Sequence, residues 1–361
     1  MTRRTTGAAM LATAALALTL SGCVESADER KASDAESKAA ETDCPWTPDE
    51  SVTTTARIAW QAIPNGDAVV KDRGVLEACL PNAKITWVQA ASGGDVITYY
   101  GAGEVDLGLM GSAPAARSSS EPVVRDVDIA TIWIHDVIGD AESLIVKDAA
   151  VTDLAGLKGG TIATPFSSTA HYSLLQALAD AGLDPAKDVT VINLDPDKMP
   201  AAWLGDEIDA AWVWDPVQSQ LLEEGGTRLI SSSDTAAAGR PTFDVGTVDR
   251  AFAAENEDFL TTWAKAQDWA VQLIQDSPAE AAESVAVVLG IDPAAAEAQF
   301  AGLEFHGAAE QAGPDFLGGK FADDLLTTAQ FLLEQGEIEA VGDAAQYAEH
   351  VDAGPATRAA E

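Results

Sequence analysis

Between residues 55 and 248, short apolar runs alternate with stretches where apolar residues recur every three or four positions. The runs at 55–59, 84–89, 107–110, 129–134, 143–146, 161–164, 189–194, 210–213, 228–230 and 242–248 predict strands. Helical spacing predicts helices at 69–79, 95–100 and 199–204, and the Ala-, Glu- and Gln-rich stretch from 251 to about 333 is helical throughout. Strands alternating with helices predict an α/β chain whose mostly parallel sheets are flanked by helices. In such sheets ligands bind beyond the carboxyl ends of the strands.

One stretch organises the rest. Thr161 to Thr164 is a short strand ended by Pro165; Ser167, Ser168 and Thr169 follow; from His171 the apolar positions Tyr172, Leu174, Leu175, Leu178 and Ala181 recur at helical spacing until Gly182. Strand, polar loop and helix place three hydroxyls where a helix presents free N–H groups and the positive end of its dipole. Such a loop can hold a small anion without a cationic side chain. A single hydroxyl there only caps the helix; three favour a binding loop. The strand at 107–110 runs into Gly111-Ser112-Ala113-Pro114, with Pro at a first-turn position, and repeats the pattern as a second candidate cradle.

At 361 residues the chain is long enough for two domains. Its 21 Lys and Arg against 58 Asp and Glu leave a formal charge of −37, which repels nucleic acid and anionic lipid and slows a bare anionic ligand. Arg3 and Arg4 precede an Ala/Leu-rich run from Gly7 to Leu20, too short to span a bilayer comfortably, so residues 1–22 are expected to be a signal peptide. The run ends Leu20-Ser21-Gly22-Cys23, which resembles a bacterial lipobox and makes Cys23 the expected lipidated residue; the remainder of a twin-arginine motif is missing. Residues 23–49 are expected to form a flexible tether, being polar and Ala/Ser-rich up to Asp43. Cys44 and Cys79 then form a candidate disulfide of an exported protein.

Phe166-Ser-Ser168-Thr169-Ala-His171-Tyr172, Ala201-Ala-Trp203 with Gly205-Asp-Glu-Ile-Asp209, Val213-Trp214-Asp215-Pro216 and Pro241-Thr-Phe-Asp244-Val245 resemble the taurine-binding proteins of ABC importers. These belong to the wider sulfonate and nitrate group of periplasmic binding proteins. The resemblance runs from about Thr54 to Tyr347. It implies a two-lobed type II fold, lobe one being 50–145 plus 245–361 and lobe two 146–244, with hinge crossovers near 143–146 and 244–248. It further implies a monomer on the extracytoplasmic face of the membrane that delivers its ligand to an ABC permease and its ATPase, without a cofactor or metal. Glu142 and Asp244 fall at the crossovers and suit an ammonium group. Ser112, Ala113, Ser168 and Thr169, with Gln61 as a further donor, suit a sulfonate. Trp214 belongs to the cleft by the same resemblance, whereas Trp60 is core or cleft equally well. The sequence departs from the family at Ala91, where Asp is common, at Ala113, where a second Ser is common, and at Gly246, where an aromatic often follows.

A zwitterion such as taurine feels no net repulsion from a protein of this charge. Other aliphatic sulfonates leave Glu142 and Asp244 unexplained. A quaternary ammonium such as glycine betaine could lie against Trp60 and Trp214 but does not need two hydroxyl-rich helix starts. An enzyme is not expected: Ser168 and His171 lack a Gly-x-Ser-x-Gly elbow, and four His without a Cys/His cluster give no metal site.

Overall fold

The structure, a computed structural model, describes residues 43–361. The expected signal peptide, Cys23 and the tether up to residue 42 lie outside the described residues. The strands are β1 Thr55–Trp60, β2 Lys84–Gln89, β3 Leu107–Gly111, β4 Ile129–Ile138, β5 Glu142–Val146, β6 Thr161–Thr164, β7 Thr190–Asn193, β8 Ala210–Trp214, β9 Thr227–Ser231, β10 Thr242–Asp249 and β11 Leu303–Glu304. They form two sheets, ordered β11-β4-β10-β3-β1-β2 and β7-β6-β8-β5-β9. In the first sheet β2, β1, β3 and β4 point one way and β10 and β11 the other. In the second, only β5 opposes its neighbours' common direction. Most strands of each sheet thus run one way, but the pairings are mixed, because the antiparallel strands β10 and β5, which the chain forms just after crossing from the other sheet, sit inside their sheets.

The crossings lie a few residues before the expected positions. All of Glu142–Val146 already belongs to the second sheet, and all of Thr242–Asp249 to the first. The chain turns out of the first sheet at 139–141, where the N–H groups of Gly139 and Ala141 both donate to the carbonyl of Gly302, at 3.0 and 3.1 Å. A Cβ at Gly139 would stand 2.8 Å from that oxygen, so glycine is what permits the approach. On the return, Gly239 ends the helix Ser232–Ala237 with φ 87°, a left-handed conformation natural to glycine.

Each sheet has its own core. Trp133, Phe259, Trp263 and Phe321 anchor the first, and Leu174, Leu178, Trp203 and Trp212 the second. The helix expected over 69–79 is two helices, Gly66–Arg73 and Val75–Cys79, because Gly74 takes φ 61° and caps the first. The C-terminal helical stretch is realised in Glu257–Asp276, Pro278–Leu289 and Lys320–Gln335, which cover the first sheet's core.

Cys44 and Cys79 form a disulfide with their Cα atoms 4.9 Å apart, closing a 35-residue separation. It ties the start of the described chain to the end of the Val75–Cys79 helix, beside a hydrogen bond from Asp49 N–H to the Cys79 carbonyl. Closing a loop of this length restricts the unfolded chain by about 3–4 kcal/mol. The double substitution Cys44→Ser, Cys79→Ser is expected to lower unfolding free energy by about 2–4 kcal/mol in denaturant titration, with ligand affinity retained. A loss below about 1 kcal/mol would show that the crosslink has little hold on the unfolded chain.

Candidate functional site

On the second sheet's side the site begins at a capped helix start. Ser168 stands in extended backbone as the N-cap of the helix Thr169–Asp180; its Oγ accepts from His171 N–H at 3.1 Å and donates to the Pro165 carbonyl at 2.6 Å. This orients the next residue, Thr169, whose Oγ1 donates to Glu142 Oε2 at 2.6 Å. Ser232, at the start of the helix Ser232–Ala237, donates to Glu142 Oε1 at 2.7 Å. Glu142 opens β5 opposite Trp214 of β8 and is only 1% exposed. Burial pushes its carboxyl up to about 7, against the pull of the two hydroxyl donors.

The first sheet presents Asp244. It lies on β10 between Gly111 of β3 and Asp136 of β4, and all three positions are buried. Burial, followed by the charges of Asp136 and Glu142, raises its carboxyl well above the ordinary range. Asp136 rises to about 7 for the same first reason. Asn65, which caps the helix Gly66–Arg73 by accepting from Asp67 N–H, turns its Nδ2 to Asp136 Oδ2 at 3.4 Å.

These groups meet at a crevice whose interior and mouth enclose about 410 Å³. Gln61, Gly93, Gly111 and Asp244 line it from the first sheet's side, and Glu142, Ser168, Thr169, Trp214 and Asp215 from the second's. Ile63, Pro64, Ile138 and Leu303 add apolar wall. Gln61 is held by its Nε2, which donates to the Leu109 carbonyl at 2.9 Å. At the first turn of Thr169–Asp180 the leading N–H groups have no intrahelical acceptor, so donors and buried carboxyls share one small space.

Six of the nine residues expected at a ligand site, Gln61, Glu142, Ser168, Thr169, Trp214 and Asp244, line the crevice. Trp60, Ser112 and Ala113 do not. Adjacent residues of an extended strand point to opposite sides, so Gln61 facing the crevice turns Trp60 away, where Lys71 Nζ sits 4.9 Å from its ring centroid. Ser112 Oγ accepts from Phe243 N–H at 3.2 Å, and Ala113 is buried in the first core. At this wall Gly111 takes their place. A Cβ on Gly111 would come within 2.5 Å of Thr169 Cγ2, and one on Gly93 within 2.5 Å of Pro114 Cγ. Both glycines serve close approach, a role that a single sequence does not separate from a turn. Asp215, Ser232 and Asp136 are not among the expected ligand residues, although Asp215 stands in the Val213-Trp214-Asp215-Pro216 stretch, directly after β8 ends at Trp214.

Gly246, the position lacking the family's aromatic, faces the first core rather than the crevice. A Cβ there would meet Trp263 Cη2 at 2.6 Å, so that ring already fills the space. Ala91 is exposed, its N–H donating to Asp95 Oδ2 at 3.2 Å. The Ser168 hydroxyl is committed to capping, and His171 stacks on Phe166 at 4.5 Å with burial pulling its pKa down to about 4. Neither is arranged as nucleophile and base.

The fold and site have the character of a protein that encloses a small polar molecule between two sheets. The profile of the NMT1-like family matches residues 68–290, and the chain belongs to that family. It is 32% identical over 272 residues to the taurine-binding periplasmic protein of Escherichia coli (strain K12), covering 73% of this chain and 82% of that one. A putative aliphatic sulfonates-binding protein of the same organism is 30% identical over 182 residues, 50% of this chain and 56% of its own length. Among solved structures, the alkanesulfonate-binding protein SsuA from Xanthomonas axonopodis pv. citri bound to MOPS superposes with a TM-score of 0.66 at 23% identity, over 82% of this chain and 96% of that one. That likeness establishes the α/β two-sheet fold. Both E. coli relatives bear the names of binding proteins.

Proposed function

We propose that this protein is the lipid-anchored substrate-binding component of an ABC importer and that it captures taurine or a close amino-sulfonate. Cys23 carries the anchor, outside the cell membrane, and the two halves built on the two sheets close over the ligand as a hinged pair. Ligand that touches both halves shifts the population towards the closed form, which docks on the permease.

The observation that carries this reading is the pairing of two buried acids, Glu142 and Asp244, with the N-terminus of Thr169–Asp180 in one crevice. The helix start and Gln61 suit a sulfonate, the carboxylates an ammonium, and a zwitterion satisfies both. An amine-free sulfonate would leave two carboxyls facing the crevice without a cation. Glycine betaine loses support because Trp60 lies off the crevice, leaving Trp214 without an aromatic partner. The names of the E. coli relatives agree with a sulfonate-bearing ligand.

Calorimetric titration of the purified protein with taurine, ethanesulfonate and glycine betaine tests the assignment. Taurine is expected to bind at least about tenfold more tightly than ethanesulfonate, the worth of one charge-assisted hydrogen bond. Equal affinities would remove the ammonium role of the two acids, and heat from betaine alone would overturn the sulfonate reading.

A further inference from the structure

The first sheet brings two carboxyls together that no cation separates. Asp136 and Asp244 are direct register partners on β4 and β10. The register slips between Asp244 and Val245, so that Val245 pairs with Ile134 and His135 is left over as a bulge. A bulge re-aims the side chains beside it, and here Asp136 meets Asp244 side chain to side chain, both more than nine-tenths buried. Asn65 reaches Asp136 Oδ2, whereas Oδ1 has no hydrogen-bond donor among the described residues. Two carboxylates in contact and out of water cannot both stay ionised, but one proton between them turns the repulsion into a hydrogen bond.

We propose that Asp136 is a positioning residue of the ammonium subsite: in the free protein its carboxyl shares a proton with Asp244, and a ligand bearing an ammonium group drives that proton into solvent as it binds. The inference rests on the amino-sulfonate reading above. Asp244 lines the crevice and touches the ligand, while Asp136 stands behind it and sets its charge. The other groups facing the pair do not supply a positive charge. Glu142 is an acid on β5; Asn65 is neutral; His135 is kept neutral by burial, with neither ring nitrogen hydrogen-bonded among the described residues; Asp67, 3.9 Å from His135, takes Gln267 Nε2 at 2.6 Å. An incoming ammonium is the missing cation, and its arrival favours the ionised pair. The ionisable proton leaves to buffer, and the ammonium takes its place as donor to Asp244.

Titrating the full chain with taurine at one pH between 6 and 7.5, in buffers of low and high ionisation enthalpy, reads the proton directly. Up to about one proton is expected to be released, and taurine Kd should fall by up to about tenfold per pH unit between pH 5.5 and 7.5. Ethanesulfonate should release none, and its Kd should rise over the same range. Asp136→Asn keeps the shape and offers Asp244 a permanent donor, so taurine should still bind, with the release lost and the pH profile flattened. Taurine binding without proton release in the unaltered protein would overturn the proposal, whether or not Asp136→Asn folds. Undiminished release in Asp136→Asn would also overturn it and assign the proton to Glu142. Failure of taurine to bind at any pH, by contrast, would bring down the amino-sulfonate reading itself and this inference with it.

Discussion

Asp244→Ala is expected to weaken taurine binding by about ten- to a hundredfold, while ethanesulfonate affinity changes by less than about threefold. Hydrogen bonds to charged groups contribute about 1.5–3 kcal/mol, and the buried position of Asp244 keeps water from substituting for the lost carboxylate. Glu142→Gln should be milder. Its Oε atoms are already held by Thr169 and Ser232, and an amide retains one acceptor for them. Parallel titrations of both variants with both ligands decide the matter, because recognition of the amine shows only as a difference between the two ligands. If Asp244→Ala lost taurine and ethanesulfonate equally, the residue would be shaping the crevice and not recognising an amine.

How far this site could be seen in the sequence varies residue by residue. The hydroxyl run at 167–169 announces a helix N-terminus, and the structure makes Ser168 the cap and Thr169 the first helical residue. Glu142 and Asp244 stand out because each abuts an apolar run and family resemblance puts each at a crossover. Asp136 stays hidden for a physical reason. The apolar pattern of β4 ends at Ile134, yet the strand continues to Ile138, and only the bulge at His135 turns Asp136 towards Asp244. Ser232 is local to its own helix and reaches Glu142 across 90 residues, a contact no pattern predicts. Trp60 could have been set aside from strand alternation alone, once its neighbour Gln61 was assigned to the cleft. The strands at 84–89, 161–164 and 210–213 are legible because each holds apolar or β-branched residues near turn residues, whereas the crossings depend on the packing of Gly139 against Gly302.

The ligand-free protein is expected to lose stability as pH rises from about 4 to above 7, with its melting temperature falling by roughly 10 °C between pH 5 and 8. The sign follows from the direction of the shifts. Glu142, Asp136 and Asp67 have folded pKa values raised to about 7 by burial, and Asp244 is raised as well. Below their unfolded values all are protonated in both states and cost nothing. As pH climbs past those values the unfolded chain ionises while the folded one keeps protons on Glu142 and Asp67 and one between Asp136 and Asp244, so stability drains until the folded groups titrate too. Each such group costs on the order of a few kcal/mol at the upper end. Acids whose pKa is lowered, such as Asp140 and Asp184, lose their contribution only in more acid solution and do not offset this. Asp244→Asn and Glu142→Gln should each flatten the decline, giving proteins more stable at pH 8 and poorer at holding taurine. A melting temperature that rose from pH 5 to 8 in the free protein would refute the burial of ionisable acids as its governing feature.

The placement of β10 has a bearing on how the molecule is assembled. It lies inside the first sheet, between β3 and β4, and the bond from Phe243 N–H to Ser112 Oγ joins residues 131 apart. Everything that builds the second sheet, from β5 to β9, lies within that interval. In a chain emerging from its N-terminus, the second sheet can therefore be complete while the first still waits for its central strand, and that late strand carries Asp244. Long-range pairings of this kind form slowly. The half-built first sheet, with the edges of β3 and β4 open, is the stage most exposed to mispairing with other chains.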